Sequence, residues 1–335
     1  MNKLKIGIIF GGMSTEHDVS IVSGKSIIEH LNKDKYEIFP IYIDKEGIWY
    51  SNNQIINNII EFLKNLDVVF PILHGKYGED GTIQGMLELL KIPFVGCGVL
   101  ASSIAMDKVY SKIIFDKAKI KQAQYVYLRK NKDEYIYIDD QFNQIEESLE
   151  SICEKISKKL KFPMFVKPSN SGSSVGINKA KNKEELEKYI EYASKFDSKV
   201  LVEEGIEGRE IECSVLGNEN VKASCVGEIK PSEEFYTYDA KYKDSNSILL
   251  IPAPISEEIS NKVKEIAIKA FKAIDGRGFA RIDLFVNDKT NEVYINEINT
   301  LPGFTPISMY PKLWENDGME YNILLDELIN TAVKK

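Results

Sequence analysis

The residues best suited to do chemistry lie in two short runs, Ala280-Arg-Ile-Asp-Leu-Phe-Val286 and Val293-Tyr-Ile-Asn-Glu-Ile-Asn-Thr-Leu-Pro-Gly303. Read as a hairpin folded symmetrically about Thr290, they set Asp283 opposite Glu297 and Arg281 opposite Asn299, all four on one face. Directly opposed side chains stand about 4.5–5.5 Å apart at Cβ, and two carboxylates that close repel unless a proton or a cation lies between them. Donors that are all oxygen favour a hard ion, Mg²⁺ or Mn²⁺, which keeps water and substrate phosphates in its remaining positions. A surface hairpin with solvated acids is the competing reading. Arg281 on the same face, and a Pro302-Gly303 turn able to aim a backbone N–H at a ligand, favour a site where negative charge develops.

Such a site needs a frame. Alternation sends Ile282, Leu284, Tyr294 and Ile298 to the opposite face, against a core. At the start of the chain an apolar run over 4–10 ends in Gly11-Gly12. A predicted helix over 19–31 and a strand over 37–43 follow, a strand, helix, strand opening. A strand over 67–73, the loop from His74 to Gly81 and a helix over 82–90 extend a parallel α/β pattern to about residue 104. The segment 130–161 reads as an exposed charged stretch followed by an amphipathic helix. From Phe162 onward strands alternate with two predicted helices, 183–195 and 257–274, an α+β rhythm.

With 335 residues, 43% of them apolar, the chain suggests two or three domains with sizeable cores. A net charge of −8 and no long Lys/Arg block argue against nucleic acid. Four cysteines without CxxC spacing, beside three histidines, argue against zinc. No apolar run approaches the ~18 residues of a membrane span, and the Ile6–Phe10 run is too short for a signal segment, so a cytoplasmic protein is expected.

Three segments compete as phosphate sites. Gly24-Lys25-Ser26 lacks the preceding glycine of a P-loop and falls inside the first predicted helix, while Gly11-Gly12 lacks the spaced glycines of a dinucleotide fingerprint. The loop Lys167-Pro-Ser-Asn-Ser-Gly-Ser-Ser-Val-Gly176 could surround phosphate oxygens with backbone N–H groups beside a strand-borne lysine, although a structural hairpin tip would look the same. The strand Val200-Leu-Val-Glu-Glu-Gly-Ile206, with Glu210 after it, could serve an adenine edge and a ribose.

Together these pieces resemble the ATP-grasp superfamily and, within it, the D-alanine–D-alanine ligases. Six ordered motifs carry the resemblance nearly end to end: Gly11–Ser20, His74–Gly85, Met106-Asp-Lys108, Lys167–Gly176, Phe235–Tyr242 and the hairpin through Pro311. Agreement is weaker around 50–65 and 129–160. The resemblance implies an α/β (α+β) ATP-grasp fold of three domains, 1–104, 105–200 and 201–335, with ATP between the last two. An omega-loop lid would occupy about 231–246, and the metal-binding hairpin 280–303.

It also implies roles for individual residues. Asp283, Glu297 and Asn299 would hold two Mg²⁺ or Mn²⁺ ions. Lys108, Lys167 and Lys241 would meet the phosphates, with Gly172, Ser173 and Ser174 in their loop. Glu203, Glu204 and Ile206 would border the adenine, and Glu210 the ribose. Arg281 and the Gly303 N–H would stabilise a tetrahedral oxyanion. Tyr242, Ser173 and Glu16 would form a triad joining the lid, the phosphate loop and the N-terminal domain, with Glu16 also facing the first substrate's ammonium. His74 and Val19 would lie near the substrates, and Ser308 would receive the second carboxylate.

The implied reaction joins two D-alanines through an acyl phosphate, with ATP as co-substrate and a closing lid to exclude water. A homodimer through the N-terminal domain is implied as well. Two alternatives stand beside this one: a ligase using D-serine or D-lactate as the second substrate, and a catalytically silent nucleotide sensor. Tyr242, where the ester-forming relatives carry phenylalanine, argues against D-lactate. Asp239-Ala-Lys-Tyr242 argues more weakly against D-serine. A sensor would have lost at least one of Asp283, Glu297, Asn299, Arg281 or Lys241, and all are present.

Overall fold

The computed structural model describes residues 3–230 and 248–333. The expected lid, with Lys241 and Tyr242, lies outside the described residues.

Three sheets organise the chain. The first runs β4-β3-β2-β1-β5, from β1 (Leu4–Gly11), β2 (Tyr36–Ile43), β3 (Trp49–Ser51), β4 (Gln54–Ile55) and β5 (Val68–Pro71), with β1 parallel to both β2 and β5. Helix α1 (His17–His30) makes the β1 to β2 crossover, two residues earlier than its apolar spacing predicts. A Cβ on Gly24 would lie 2.6 Å from Phe10 Cβ, so this glycine serves helix-on-sheet contact and Gly24-Lys25-Ser26 is no phosphate loop. Helices α2 (Ile59–Lys64), α3 (Thr82–Leu89) and α4 (Val99–Met106) complete this part.

The second sheet is antiparallel throughout, in the order β10-β9-β11-β6-β7-β8, from β6 (Tyr125–Asn131), β7 (Glu134–Ile138), β8 (Gln144–Glu147), β9 (Met164–Pro168), β10 (Asn178–Ala180) and β11 (Lys199–Glu204). Helix α5 (Lys108–Lys117) leads into it, and α6 (Leu149–Lys159) and α7 (Lys183–Ala193) bury its apolar face. Ser148 and Asn182 cap the last two, each accepting from a backbone N–H three residues on. The charged stretch expected to be merely exposed forms β7 and β8. Tyr135, Tyr137 and Ile138 are buried there, Ile136 is half-buried and the flanking Asp133 and Glu134 face out, a short alternation that the surrounding lysines and acids obscure.

The third sheet runs β14-β13-β12-β15-β16, from β12 (Arg209–Leu216), β13 (Lys222–Lys230), β14 (Ile248–Leu250), β15 (Phe279–Val286) and β16 (Val293–Asn299). Helix α8 (Glu257–Ala273) covers one face. Two further helices not expected from the sequence, α9 (Met309–Asn316) and α10 (Tyr321–Val333), pack at its other face and against the first sheet. Among the described residues no helix is long and apolar enough to cross a membrane.

The β15–β16 register agrees with symmetric folding at one end and departs from it at the other. Arg281 pairs Asn299 and Asp283 pairs Glu297, but Leu284 then pairs Ile295. The extra residue is Asn296. A one-residue bulge inverts the alternation beyond it, so Ile295 enters the core and Tyr294 stays half-buried, against the expectation for Tyr294.

Aromatic rings join the first and third sheets. Phe304 lies 5.7 Å from Phe70, 5.6 Å from Phe279 and 5.4 Å from Tyr310 between ring centroids, and all four side chains are fully buried. Phe304→Ala is expected to cost roughly 3–5 kcal/mol by urea denaturation. A loss below about 1 kcal/mol would show that the rings are not a structural joint.

Candidate active site

The third sheet carries an acidic row on the face away from α8. Glu212, Asp283 and Glu297 are register neighbours on β12, β15 and β16, and Ser214, Arg281 and Asn299 form the next row. Arg281 grips both oxygens of Asp283, Nε and Nη2 each at 2.7 Å, while Nε lies 3.2 Å from Glu212 Oε2. This fork sets one positive charge against two carboxylates and holds the guanidinium flat against the sheet. Glu212 was not among the expected site residues. Its signal is the alternation Glu210-Ile-Glu212, which puts it on the face of Glu210.

Asp283, Glu297 and Asn299 come together as expected. Among the described residues no three His, Cys, Asp or Glu side chains form a metal cluster, so this donor set is two carboxylates completed by an amide oxygen. The set suits a hard cation. Asn299 Oδ1 accepts from Leu301 N at 3.0 Å and retains a second lone pair, whereas a cation at Asp283 must share that carboxylate with Arg281.

Lysines face this row from the second sheet and α5. Asp107 caps α5 by accepting from Val109 N at 3.1 Å and Tyr110 N at 3.2 Å, and it ties the helix to β9 and β11 through Ser169 and Lys199. Burial would raise the Asp107 carboxyl, but Lys199 and Ser169 hold it below the ordinary aspartate value. The first helical residue, Lys108, donates to Ser171 O at 2.7 Å and lies 3.5 Å from Glu297 Oε2. Lys167 extends from β9 to Glu203 Oε1 at 2.5 Å and reaches across to the bulge residue Asn296, whose Oδ1 is 3.4 Å away. Burial favours neutral Lys167, but Glu203 and Glu297 overcome it and keep the ammonium charged.

Glu203 is held from both sides, because Lys112 Nζ lies 2.7 Å from its Oε2. Burial alone would raise this carboxyl, yet the two ammonium groups hold it down at about 2. Lys112 and Asn296 are the other site-region residues the sequence left unassigned. The bulge that aims Asn296 has no signature in an otherwise regular strand, while Lys112 stands one turn beyond Lys108 on the same helical face.

A lowered folded-state value means that ionised Glu203 stabilises the protein above the ordinary value of 4.5, and that this is lost as pH falls through about 2. The contribution is roughly 3 kcal/mol. Urea midpoints should therefore fall more steeply over that acid range for the parent protein than for Glu203→Gln, and equal slopes would contradict this account.

The glycine-rich loops meet at Glu16. A Cβ on Gly75 would lie 2.6 Å from Glu16 Oε2 and one on Gly172 would lie 2.9 Å from it, so two loops remote in sequence close on one carboxylate. Ser173 donates to Glu16 Oε1 from a left-handed backbone at φ 50°, followed by Ser174 at φ 60° and Gly176 at φ 78°. The expected Glu16–Ser173 contact is thus formed, while its third member, Tyr242, lies outside the described residues.

His74 is nearly fully buried. Its Nδ1–H donates to Leu301 O at 3.1 Å, and its Nε2 is hydrogen-bonded with Ser23 Oγ at 3.0 Å. It therefore pins the exit of the hairpin to α1, with Glu79 of its own loop 3.7 Å from Nδ1. Val19 is buried in α1. Ser308 Oγ accepts from Thr305 N at 3.0 Å, and a Cβ on Gly303 would lie 2.7 Å from that Oγ, so the turn after the hairpin folds tightly over Ser308. At the far end of the junction Glu204 accepts from Lys161 N at 2.8 Å, Ile206 follows in the loop, and Glu210 opens β12 opposite Phe285.

Known proteins share this fold. Two family descriptions match the chain: "D-ala D-ala ligase N-terminus" over residues 5–61 and 56–97, and "D-ala D-ala ligase C-terminus" over residues 114–330. D-alanine--D-alanine ligase B of Clostridium tetani is 50% identical over 351 residues, with 99% of this chain and 94% of that protein covered. Among solved structures, the VanG D-Ala:D-Ser ligase of Enterococcus faecalis superposes with a TM-score of 0.86 at 34% identity, covering 99% of this chain and 100% of that one. The Bacillus anthracis D-alanine–D-alanine ligase complexed with ATP gives 0.78 at 33% identity, over 99% and 98% of the two chains. Two antiparallel sheets meeting over lysines and carboxylates, beside a parallel α/β layer, define an ATP-grasp protein. Within that class the chain belongs to the D-alanine–D-alanine ligase family.

Proposed function

We propose that this protein joins two D-alanines into D-alanyl-D-alanine for peptidoglycan precursors, converting ATP to ADP and phosphate. The observation that carries the reading is the facing of Lys108 and Lys167 against the Arg281, Asp283, Glu297 and Asn299 face, with Lys108 only 3.5 Å from Glu297. Cations and carboxylates so opposed suit a polyphosphate that brings its own charge and its own metal.

The first D-alanine's carboxylate oxygen attacks the γ-phosphorus as the bond to ADP breaks, giving D-alanyl phosphate. The second D-alanine's uncharged amine attacks the acyl carbon, phosphate leaves with the electrons of the C–O bond, and the proton lost from the amine nitrogen passes to the departing phosphate or to solvent. Lys108 and Lys167 bind phosphate oxygens, joined by Lys241, while the 172–174 loop surrounds them. Glu203, Glu204 and Ile206 border the adenine, and Glu210 binds the ribose. Asp283, Glu297 and Asn299 are the residues that would hold Mg²⁺ or Mn²⁺, which when bound offsets phosphate charge. Glu16 orients the first ammonium, with His74 and Val19 shaping that pocket. Ser308 receives the second carboxylate, and Arg281 with the Gly303 N–H stabilises the oxyanion. Ser173 and Tyr242 couple the phosphate loop to a lid at about 231–246, which protects the acyl phosphate from water.

We read domains at 1–104, 105–200 and 201–335, a cytoplasmic location to match the use of ATP, and a homodimer through the first domain. Sedimentation equilibrium tests the dimer. The activity is tested by mass identification of the products from ATP, Mg²⁺ and D-alanine, alone and with equimolar D-serine or D-lactate. D-Alanyl-D-alanine as the main product throughout is expected. A dominant mixed product would overturn the substrate assignment, and bound ATP without any product would overturn the ligase reading.

A further inference from the structure

Lys112 lies too deep to touch a nucleotide, at 2% exposed, yet it faces the partner of Lys167. Lys108 and Lys112 share a face of α5, so one helix directs two ammonium groups inward at different points. Glu203 divides its oxygens between two cations: Oε1 lies 2.5 Å from Lys167 and Oε2 lies 2.7 Å from Lys112. The Tyr125 ring, its centroid 5.5 Å from Lys112 Nζ, gives that buried cation a second favourable neighbour.

The charge arithmetic follows from this geometry. Glu203 with Lys167 alone would be a neutral buried pair, and an incoming anion would have to compete for the ammonium. Glu203 with Lys112 and Lys167 carries one net positive charge, weakly screened because the cluster is buried. Two further carboxylates act on Lys167: Glu297, which has its own ammonium in Lys108 at 3.5 Å, and Glu210, which is common to every variant compared below.

We propose that Lys112 is a positioning residue for nucleotide binding, which occupies half of Glu203 so that Lys167 is held in place and remains available to phosphate. The inference rests on the reading of Lys167 as a phosphate ligand. Its readout is the ratio of ADP to adenosine affinity, because adenosine has no phosphate for Lys167 to meet and reports the base and ribose contacts alone.

The experiment measures both dissociation constants with Mg²⁺ by competition calorimetry on the full chain. Lys112→Met makes the cluster neutral and is expected to lower the ratio about tenfold, as removal of one poorly screened charge should. The double variant Lys112→Met with Glu203→Gln restores one net positive charge and should return the ratio to within about threefold of the parent. Glu203→Gln alone leaves two positive charges and should raise the ratio above the parent. If Lys112→Met does not fold, Glu203→Gln compared with the double variant still decides the matter, because those two differ only at Lys112. A ratio that falls in Glu203→Gln, or one in Lys112→Met that matches the parent, overturns the inference. Lys167→Ala separates the two readings: an unchanged ratio there would defeat Lys167 as a phosphate ligand, whereas a loss there without the ordered series would defeat the role of Lys112 alone.

Discussion

Replacing Glu297 with alanine is expected to lower D-alanyl-D-alanine synthesis by about three orders of magnitude, the scale of losing one electrostatic element aimed at developing charge. Glu297 stands opposite Asp283 across the β15–β16 ladder, with Lys108 at 3.5 Å. The Glu297 side chain is partly open to solvent, so its removal should change folding stability by less than about 1 kcal/mol. Catalysis and stability should therefore separate cleanly. The measurement is steady-state dipeptide formation and ADP release, with thermal melting as the control. Dipeptide synthesis within tenfold of the parent would remove Glu297 from the reaction, and a collapse in melting temperature would reassign it to the fold.

Arg281→Met should behave differently, losing both. The guanidinium is the shared counterion of Asp283, bound through two 2.7 Å contacts, and of buried Glu212 at 3.2 Å. Removing one partner of such a network leaves uncompensated buried charge, which costs roughly 3–5 kcal/mol. On the proposed role of Arg281 as an oxyanion donor, the rate should also fall about 100- to 1000-fold. Arg281→Lys distinguishes the two losses. A lysine restores the charge and part of the stability, but a point charge cannot span both oxygens of Asp283 and still present a donor to substrate, so the rate should remain low. Recovery of rate by lysine would mean that Arg281 contributes charge alone. Full stability in Arg281→Met would mean that Glu212 and Asp283 find other partners.

Much of this frame is legible in the chain. Strand alternation puts Arg281, Asp283, Glu297 and Asn299 on one face, and pairing about Thr290 gives the register observed at those four positions. The opening strand, helix, strand pattern is read from apolar spacing because a parallel sheet flanked by helices buries whole strands. Helices α7 and α8 end within two residues of their predicted limits, since each carries an apolar stripe and a polar cap. The charged segment before α6 carries no clear strand signal because Tyr135, Tyr137 and Ile138 are too few to outweigh the acids and lysines around them. Pairing with β6 makes those residues a strand, and pairing is not a local property.

The sequence by itself determined which residue types could do chemistry here and which of them share a strand face, because side-chain direction repeats every two residues along a strand and about every 3.6 along a helix. Only the tertiary structure decided what those residues meet. The Asn296 bulge turns an amide toward Lys167 and reverses the fate of Tyr294, through an irregularity with no compositional mark. Glu16 fits between Gly75 and Gly172, Glu203 between Lys112 and Lys167, and Arg281 between Glu212 and Asp283. Most of these contacts join residues far apart in the chain, and their energies depend on burial and charge pairing that arise only when separate sheets and loops come together.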